Sequence, residues 1–202
     1  MEEIGLFPLG IVLVPTELVP LHIFEPRYRE LIGECIEHGR DFGLLYADEE
    51  GVRELGTRAR VTEVLERFDD GRLNIVVEGG RRFRVERLTR GRSFLTAVVA
   101  PVDDEAISVD SATAAKAAGS FRALAALAGA ETEDVDEASP VLSFELAAHV
   151  ELAPRAKQQL LESCSEQERL EQVAQLLDSA RRELVAAREL GERARRNGSR
   201  LG

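Results

Sequence analysis

Residues 60–78 read RVTEVLERFDDGRLNIVVE. Two runs rich in aliphatic and β-branched residues, 60–68 and 73–78, flank the triplet Asp69-Asp70-Gly71. An Asp-Gly pair between strand-like runs is a strong turn signal, because glycine tolerates the positive φ that a tight hairpin needs. The stretch therefore predicts a β-hairpin. Working outward, similar runs occupy 82–88 and 94–102 on one side, and 41–47, 18–24 and 4–14 on the other. The last is broken by Pro8 and Gly10 and closed by Pro15, which predicts short strands rather than a helix. Several short strands at this spacing argue for a barrel or sandwich, not a parallel βαβ sheet. One helix interrupts them over 26–38. It opens on Pro26, repeats Tyr28, Leu31, Ile32, Cys35 and Ile36 at helical spacing, and is followed by Gly39, where a terminating glycine belongs.

Near residue 103 the composition changes. Asp103-Asp104-Glu105 is an acidic break, and from Ser111 onward the chain is rich in Ala, Leu, Glu and Arg, all good helix formers. Helices are expected over 112–127, 140–152, 154–164 and 166–190, with an acidic linker over 129–137. Ser139 before Pro140 fits an N-cap followed by proline at the first helical position. Ser165 with Glu168 has the spacing of a capping box. Leu170, Val173, Leu177 and Leu184 form a stripe on the last helix that must pack on something. The polar tail over 193–202 is expected to fray. The fold class read here is α+β: an antiparallel β unit over 1–103, then an α-helical bundle over 104–202.

Charge and composition narrow the function. A formal charge of −11 disfavours nucleic acid and anionic lipid over most of the surface. The N-terminus, Met-Glu-Glu-Ile, is acidic where a signal peptide is basic, and no apolar run approaches the ~20 residues that cross a bilayer. A cytoplasmic location is expected. The two cysteines, Cys35 and Cys164, sit in no CxxC and near no histidine at ligand spacing, so reduced thiols are expected and neither a disulfide framework nor zinc. His22, His38 and His149 show no converging metal or catalytic spacing. His38 falls at a helix C-terminus and His149 inside an apolar helix face. No cofactor is expected.

Two motifs carry a family resemblance. Phe7-Pro8-Leu9-Gly10-Ile11-Val12-Leu13-Val14-Pro15, followed by Pro20-Leu21-His22-Ile23-Phe24-Glu25-Pro26-Arg27-Tyr28, resembles the opening of the Lon protease N-terminal, substrate-binding domain. The second is Gly56-Thr57, then the run 70–79, then Arg81-Arg82-Phe83-Arg84-Val85. Residues 157–162 and Arg169-Leu170 resemble the helical half of the same domain, so the likeness spans most of 4–180. It implies a PUA-like antiparallel β-barrel followed by a C-terminal helical bundle, in agreement with the composition change near 103. It also implies a stand-alone member without ATPase or peptidase. The sequence has no GxxxxGK[ST] phosphate loop, and nothing in it resembles the Ser-Lys peptidase domain. A non-enzymatic binding module is the expectation.

By the same analogy, the peptide-binding candidates are Leu21, Ile23, Phe24, Arg27 and Tyr28. The competing structural reading makes Glu25, Arg27 and Tyr28 a helix start, with Arg27 paired to an acid and Tyr28 closing the core. Arg81, Arg82 and Arg84 after Gly79-Gly80 offer a phosphate cradle or, more plainly, a solvated arginine face on a strand. The arginines of the C-terminus read as a solvated helix end. The function expected is recognition of a polypeptide or protein partner, unfolded proteins or a protease among them. The alternative is an RNA- or nucleotide-binding PUA-like protein, which the negative charge and absence of Trp disfavour. A small hydrolase or transferase ranks last, because no nucleophile, base and orienting group stand together.

Overall fold

The hairpin of residues 60–78 is the centre of a longer one. In the computed structural model, which describes residues 2–130 and 135–198, β4 (Gly51–Arg67) and β5 (Leu73–Thr89) are each 17 residues long. At the turn Gly71 takes φ 86°, the Gly71 N–H donates to the Phe68 carbonyl at 2.9 Å, and the Phe68 N–H donates to the Arg72 carbonyl at 3.0 Å. β5 runs without a break through Gly79-Gly80, where the sequence predicts two separate strands. A Cβ on Gly79 would meet the Val14 carbonyl oxygen, so the glycine serves a close backbone approach rather than a turn.

The remaining strands are β1 (Glu2–Leu9), β2 (Leu18–Ile23), β3 (Phe42–Asp48) and β6 (Leu95–Pro101). They form one six-stranded sheet in the order β2-β5-β4-β3-β1-β6, with β5 also pairing to β6. The pairing thus returns from β6 to β5. One pairing corrects the all-antiparallel expectation: β1 and β3 are parallel, Leu6 opposite Gly43 and Leu9 opposite Tyr46. The chain between them contains β2 and the helix α1 (Pro26–His38), enough for the crossover that a parallel pair requires. Both ends of α1 fall where the sequence puts them, with Pro26 in its first turn and Gly39 left-handed at φ 62°.

The chain divides into two compact units, Met1–Glu105 with Ala147–Cys164, and Ala106–Leu146 with Ser165–Gly202. In the first, Phe7, Leu13, Ile23, Tyr28, Ile32, Phe42, Ile75 and Val77 build the main core, and Ile4, Leu6, Phe83 and Val99 a second one. Burial of such side chains contributes ~1.5–3 kcal/mol each. The short helix α4 (Pro154–Glu162) belongs to this unit: Lys157 pairs with Glu17, and the Gln158 amide donates to the Leu55 carbonyl at 3.3 Å. Arg82, only 4% exposed, donates to the carbonyls of Leu161 and Ser163 at 2.7 and 2.6 Å and pairs with Asp104. The expected solvated arginine face therefore holds for Arg81 and Arg84 and fails for Arg82, whose guanidinium donates to three oxygens: two carbonyls at a helix end and one of the Asp104 carboxylate.

The second unit packs α2 (Ser111–Ala128) against α5 (Glu166–Gly198). Ala117, Ala118 and Phe121 of α2 are buried, as are Leu170, Val173 and Leu177 of α5, the stripe read from sequence. The Ser165 hydroxyl accepts from the Glu168 N–H at 3.3 Å, the expected cap. Arg169, 0% exposed, donates to the Ser143 hydroxyl at 3.0 Å, pairs with Glu166 and lies 4.4 Å over the Phe144 ring. The helix expected over 140–152 is shorter: α3 spans Leu142–Ala148, so His149 lies past its end and is exposed. The Ser139 hydroxyl accepts instead from the Val141 N–H at 3.4 Å, one step before the helix begins. α5 continues to Gly198, beyond the expected end at 190. The linker and tail expectations fall in part on 131–134 and 199–202, outside the described residues. No described helix is long and apolar enough to cross a membrane.

Candidate functional site

β2 alternates exposed and half-buried residues and ends on the buried Ile23, because it covers the core with one face only. Its cross-strand register with β5, and that of β5 with β4, builds three outward rows: Leu18, Glu78 and Arg60; Pro20, Val76 and Glu63; His22, Asn74 and Glu66. Val19, Leu21 and Ile23 take the inward positions. Among the described residues β2 pairs with β5 alone, so its other side is a sheet edge. Pro20 sits on that edge strand, where a residue without an N–H is tolerated.

Phe24 follows directly, 59% exposed, and Leu18 at the other end of the strand is 61% exposed. The His22 ring stacks on Phe24 with centroids 5.9 Å apart and planes 20° apart, and meets the edge of Phe68 at 6.0 Å. The His22 Nδ1 donates to the Asn74 side-chain carbonyl at 2.6 Å, and the Asn74 amide donates to Glu66 at 3.0 Å. Arg72 lies 4.9 Å over the Phe68 ring and donates to Asp70 at 2.7 Å. The Arg72 backbone N–H and guanidinium beside Asp70 hold its carboxyl below the ordinary range. The result is an aromatic patch held in place by polar neighbours, with a row of aliphatic side chains leading away from it. Such a surface favours apolar contact with a few fixed polar partners.

The five candidates divide. Phe24 and Arg27 face solvent; Ile23 and Tyr28 are core; Leu21 is half-buried against the core. Tyr28 is 6% exposed and packs on Phe7 at 4.0 Å, and its burial raises the phenol above its usual range. Arg27 lies 4.5 Å over the Tyr28 ring and pairs with Glu25 at 2.8 Å, which is the helix-start arrangement read from sequence. Leu18, Phe68 and Asn74 complete the patch beyond the residues that the sequence motif marks. Alternation along β2 could have found Leu18, but Phe68 and Asn74 join the patch only through strand register. Of Arg81, Arg82 and Arg84, the candidates for a phosphate cradle, Arg82 is buried and Arg81 and Arg84 are exposed. Among the described residues no group of His, Cys, Asp and Glu could hold a metal ion.

The solved structures with this arrangement include the Lon N-terminal domain protein of Xanthomonas campestris, with a TM-score of 0.66 and 26% identity over 86% of this chain and 97% of that one. The N-terminal domain of the Mycobacterium avium complex Lon protease superimposes with a TM-score of 0.65 at 22% identity, over 88% and 98% of the two chains, a likeness of fold. Among curated proteins, the Lon protease of Brevibacillus choshinensis is 24% identical over 96% of this chain, and that of Methylocella silvestris 25% identical over 92%. The chain spans about a quarter of the length of these relatives, 27% and 25%. Residues 3–179 match the family model described as the ATP-dependent protease La (LON) substrate-binding domain, and the chain belongs to that family.

Proposed function

We propose that the outward face of β2, continued by Phe24 and Phe68, binds polypeptide segments in extended or unfolded form, and that the chain acts without catalysis of its own. The observation that carries this reading is the exposure of Phe24, stacked on His22 in line with Leu18 and Pro20. An exposed aromatic held rigidly by neighbours is what an anchor residue needs, since little side-chain entropy is lost when a partner covers it. Membership in a substrate-binding family supports the same reading. The closed circuit of pairings from β5 through β4, β3, β1 and β6 back to β5 supports the PUA-like barrel as the scaffold beneath it. The partners we favour are unfolded proteins, presented to a protease, in the cytoplasm.

The RNA-binding alternative follows from the PUA-like resemblance; it would gain from a basic face at Arg81, Arg82 and Arg84, and the burial of Arg82 removes one of those charges from the surface. The test is titration of an unfolded model protein, such as reduced carboxymethylated lactalbumin, against the wild type and Phe24→Ala. Micromolar binding is expected, near −8 kcal/mol, with Phe24→Ala weakening it about tenfold or more. Absence of binding by the wild type at high micromolar concentration would refute the reading.

A further inference from the structure

The outward rows of β2, β5 and β4 lead into a cleft of about 610 Å³, which begins at Glu78, the partner of Leu18, and at Arg60, the partner of Glu78. Its walls carry Glu2, Asp41, Arg58, Arg60, Glu78 and Arg81. Two of the cations are already engaged: Arg58 pairs with Glu2 at 2.8 Å and Arg60 with Asp41 at 2.9 Å. Arg81 is exposed and has no ion-pair or hydrogen-bond partner among the described residues.

The backbone explains its position. Ala59 is opposite Gly79 and Thr57 is opposite Arg82, so Gly80 and Arg81 together face Arg58 alone. This is a β-bulge, which leaves one residue unpaired and re-aims its side chain. Gly79 and Gly80 put no side chains on the approach. The cleft thus offers one unengaged guanidinium at the end of a surface suited to a polypeptide. A guanidinium binds carboxylate through a planar fork of donors. The three carboxylates on the same walls, Glu2, Asp41 and Glu78, would repel a dianion such as phosphate more strongly than a singly charged carboxylate.

We infer that the cleft at the β5 bulge receives the free C-terminal carboxylate of a polypeptide lying along β2, with Arg81 as its counter-charge. The inference rests on the polypeptide-binding reading above and adds direction: the bound segment runs with its C-terminus from Phe24 toward Leu18 and the cleft. Rows two residues apart on a strand are separated by ~6.8 Å, so two such steps from His22 to Leu18 match about four residues of extended ligand.

The experiment uses the full chain and one apolar decapeptide, labelled with fluorescein at its N-terminus and prepared with either a free or an amidated C-terminus. Binding is read by fluorescence anisotropy for the wild type, Arg81→Gln, and Arg84→Gln as an exposed-arginine control. Amidation should weaken binding to the wild type and to Arg84→Gln about tenfold, while Arg81→Gln should bind both peptides alike, at the weaker level. Equal affinity of the wild type for both peptides overturns the carboxylate site and leaves the recognition reading standing. Failure of both peptides to bind the wild type overturns both. Displacement of the free-acid peptide by millimolar inorganic phosphate but not by acetate makes this a phosphate site and overturns the assignment. Circular dichroism of Arg81→Gln checks that the exposed substitution leaves the fold intact.

Discussion

A Cβ placed on Gly79 would lie 2.0 Å from the carbonyl oxygen of Val14, with Leu13 at 3.2 Å behind it. The Gly79 N–H and carbonyl are both used here, donating to the Glu17 carbonyl at 2.9 Å and accepting from the Thr16 N–H at 2.7 Å. No side-chain rotation relieves that contact, because the obstacle is backbone. Gly79→Ala should destabilise the protein by about 3 kcal/mol, the upper range for overpacking. Urea unfolding measures it, and Gly80→Ala, whose Cβ would meet its nearest atom at 3.4 Å, should cost far less.

Phe24 and Tyr28 separate the two halves of the same motif. Tyr28→Ala should lower stability by ~3–5 kcal/mol through the cavity it leaves beside Phe7. Phe24→Ala should stay within about 0.5 kcal/mol of wild type. A thermal melt of each variant distinguishes them, and a large loss for Phe24→Ala would mean that its ring supports the fold.

Arg169 is the largest fully buried side chain of the helical unit, and Glu166 is its counter-charge. Arg169→Met should cost ~3–5 kcal/mol, since it leaves a buried carboxylate uncompensated. Adding Glu166→Leu should recover part of that loss, because an apolar pair in place of an ion pair is often neutral. The double-mutant cycle by chemical unfolding reads the difference directly.

Burial raises the Cys35 thiol to about 11. At pH 8 its thiolate fraction is on the order of one in a thousand. Iodoacetamide should therefore spare Cys35 in the native protein while modifying the half-buried Cys164, as mass spectrometry of the digest would report. The folded thiol keeps its proton above the ordinary value of 9.0. Its contribution to stability is thus full below pH ~9 and is lost as pH rises through the folded pKa.

How much of this was legible depended on whether the determining contact was local. The turn at Asp70-Gly71, both ends of α1 and the cap at Ser165 involve residues a few positions apart, so residue type alone identifies them. The continuity of β5 was hidden because the partner that demands Gly79 is Val14, far away in sequence. The parallel pairing of β1 with β3 was hidden likewise, since alternation in a strand does not reveal the direction of its neighbour. Thr16 illustrates a stronger limit: it holds φ 69°, a conformation unfavourable for a β-branched residue, and no sequence rule places a threonine there. At the site, the motif around residues 20–28 was visible as a unit, but it alternates between core and surface. Tyr28 is set by the buried stripe of α1, whereas Phe24 lies between β2 and α1, where no periodicity assigns a face.

Under the polypeptide-binding proposal, Pro20 has a consequence for how an unfolded partner would be held. An open strand edge is a template on which another chain can add a further strand, and repetition of that step leads to insoluble assemblies. A proline in the middle of β2 removes an N–H from that edge strand, where β5 is the only described neighbour. An unfolded chain can then rest its side chains on the face without zipping its backbone onto the rim. On that proposal, contact of that kind would be reversible, and one surface would meet many sequences in turn and release each of them.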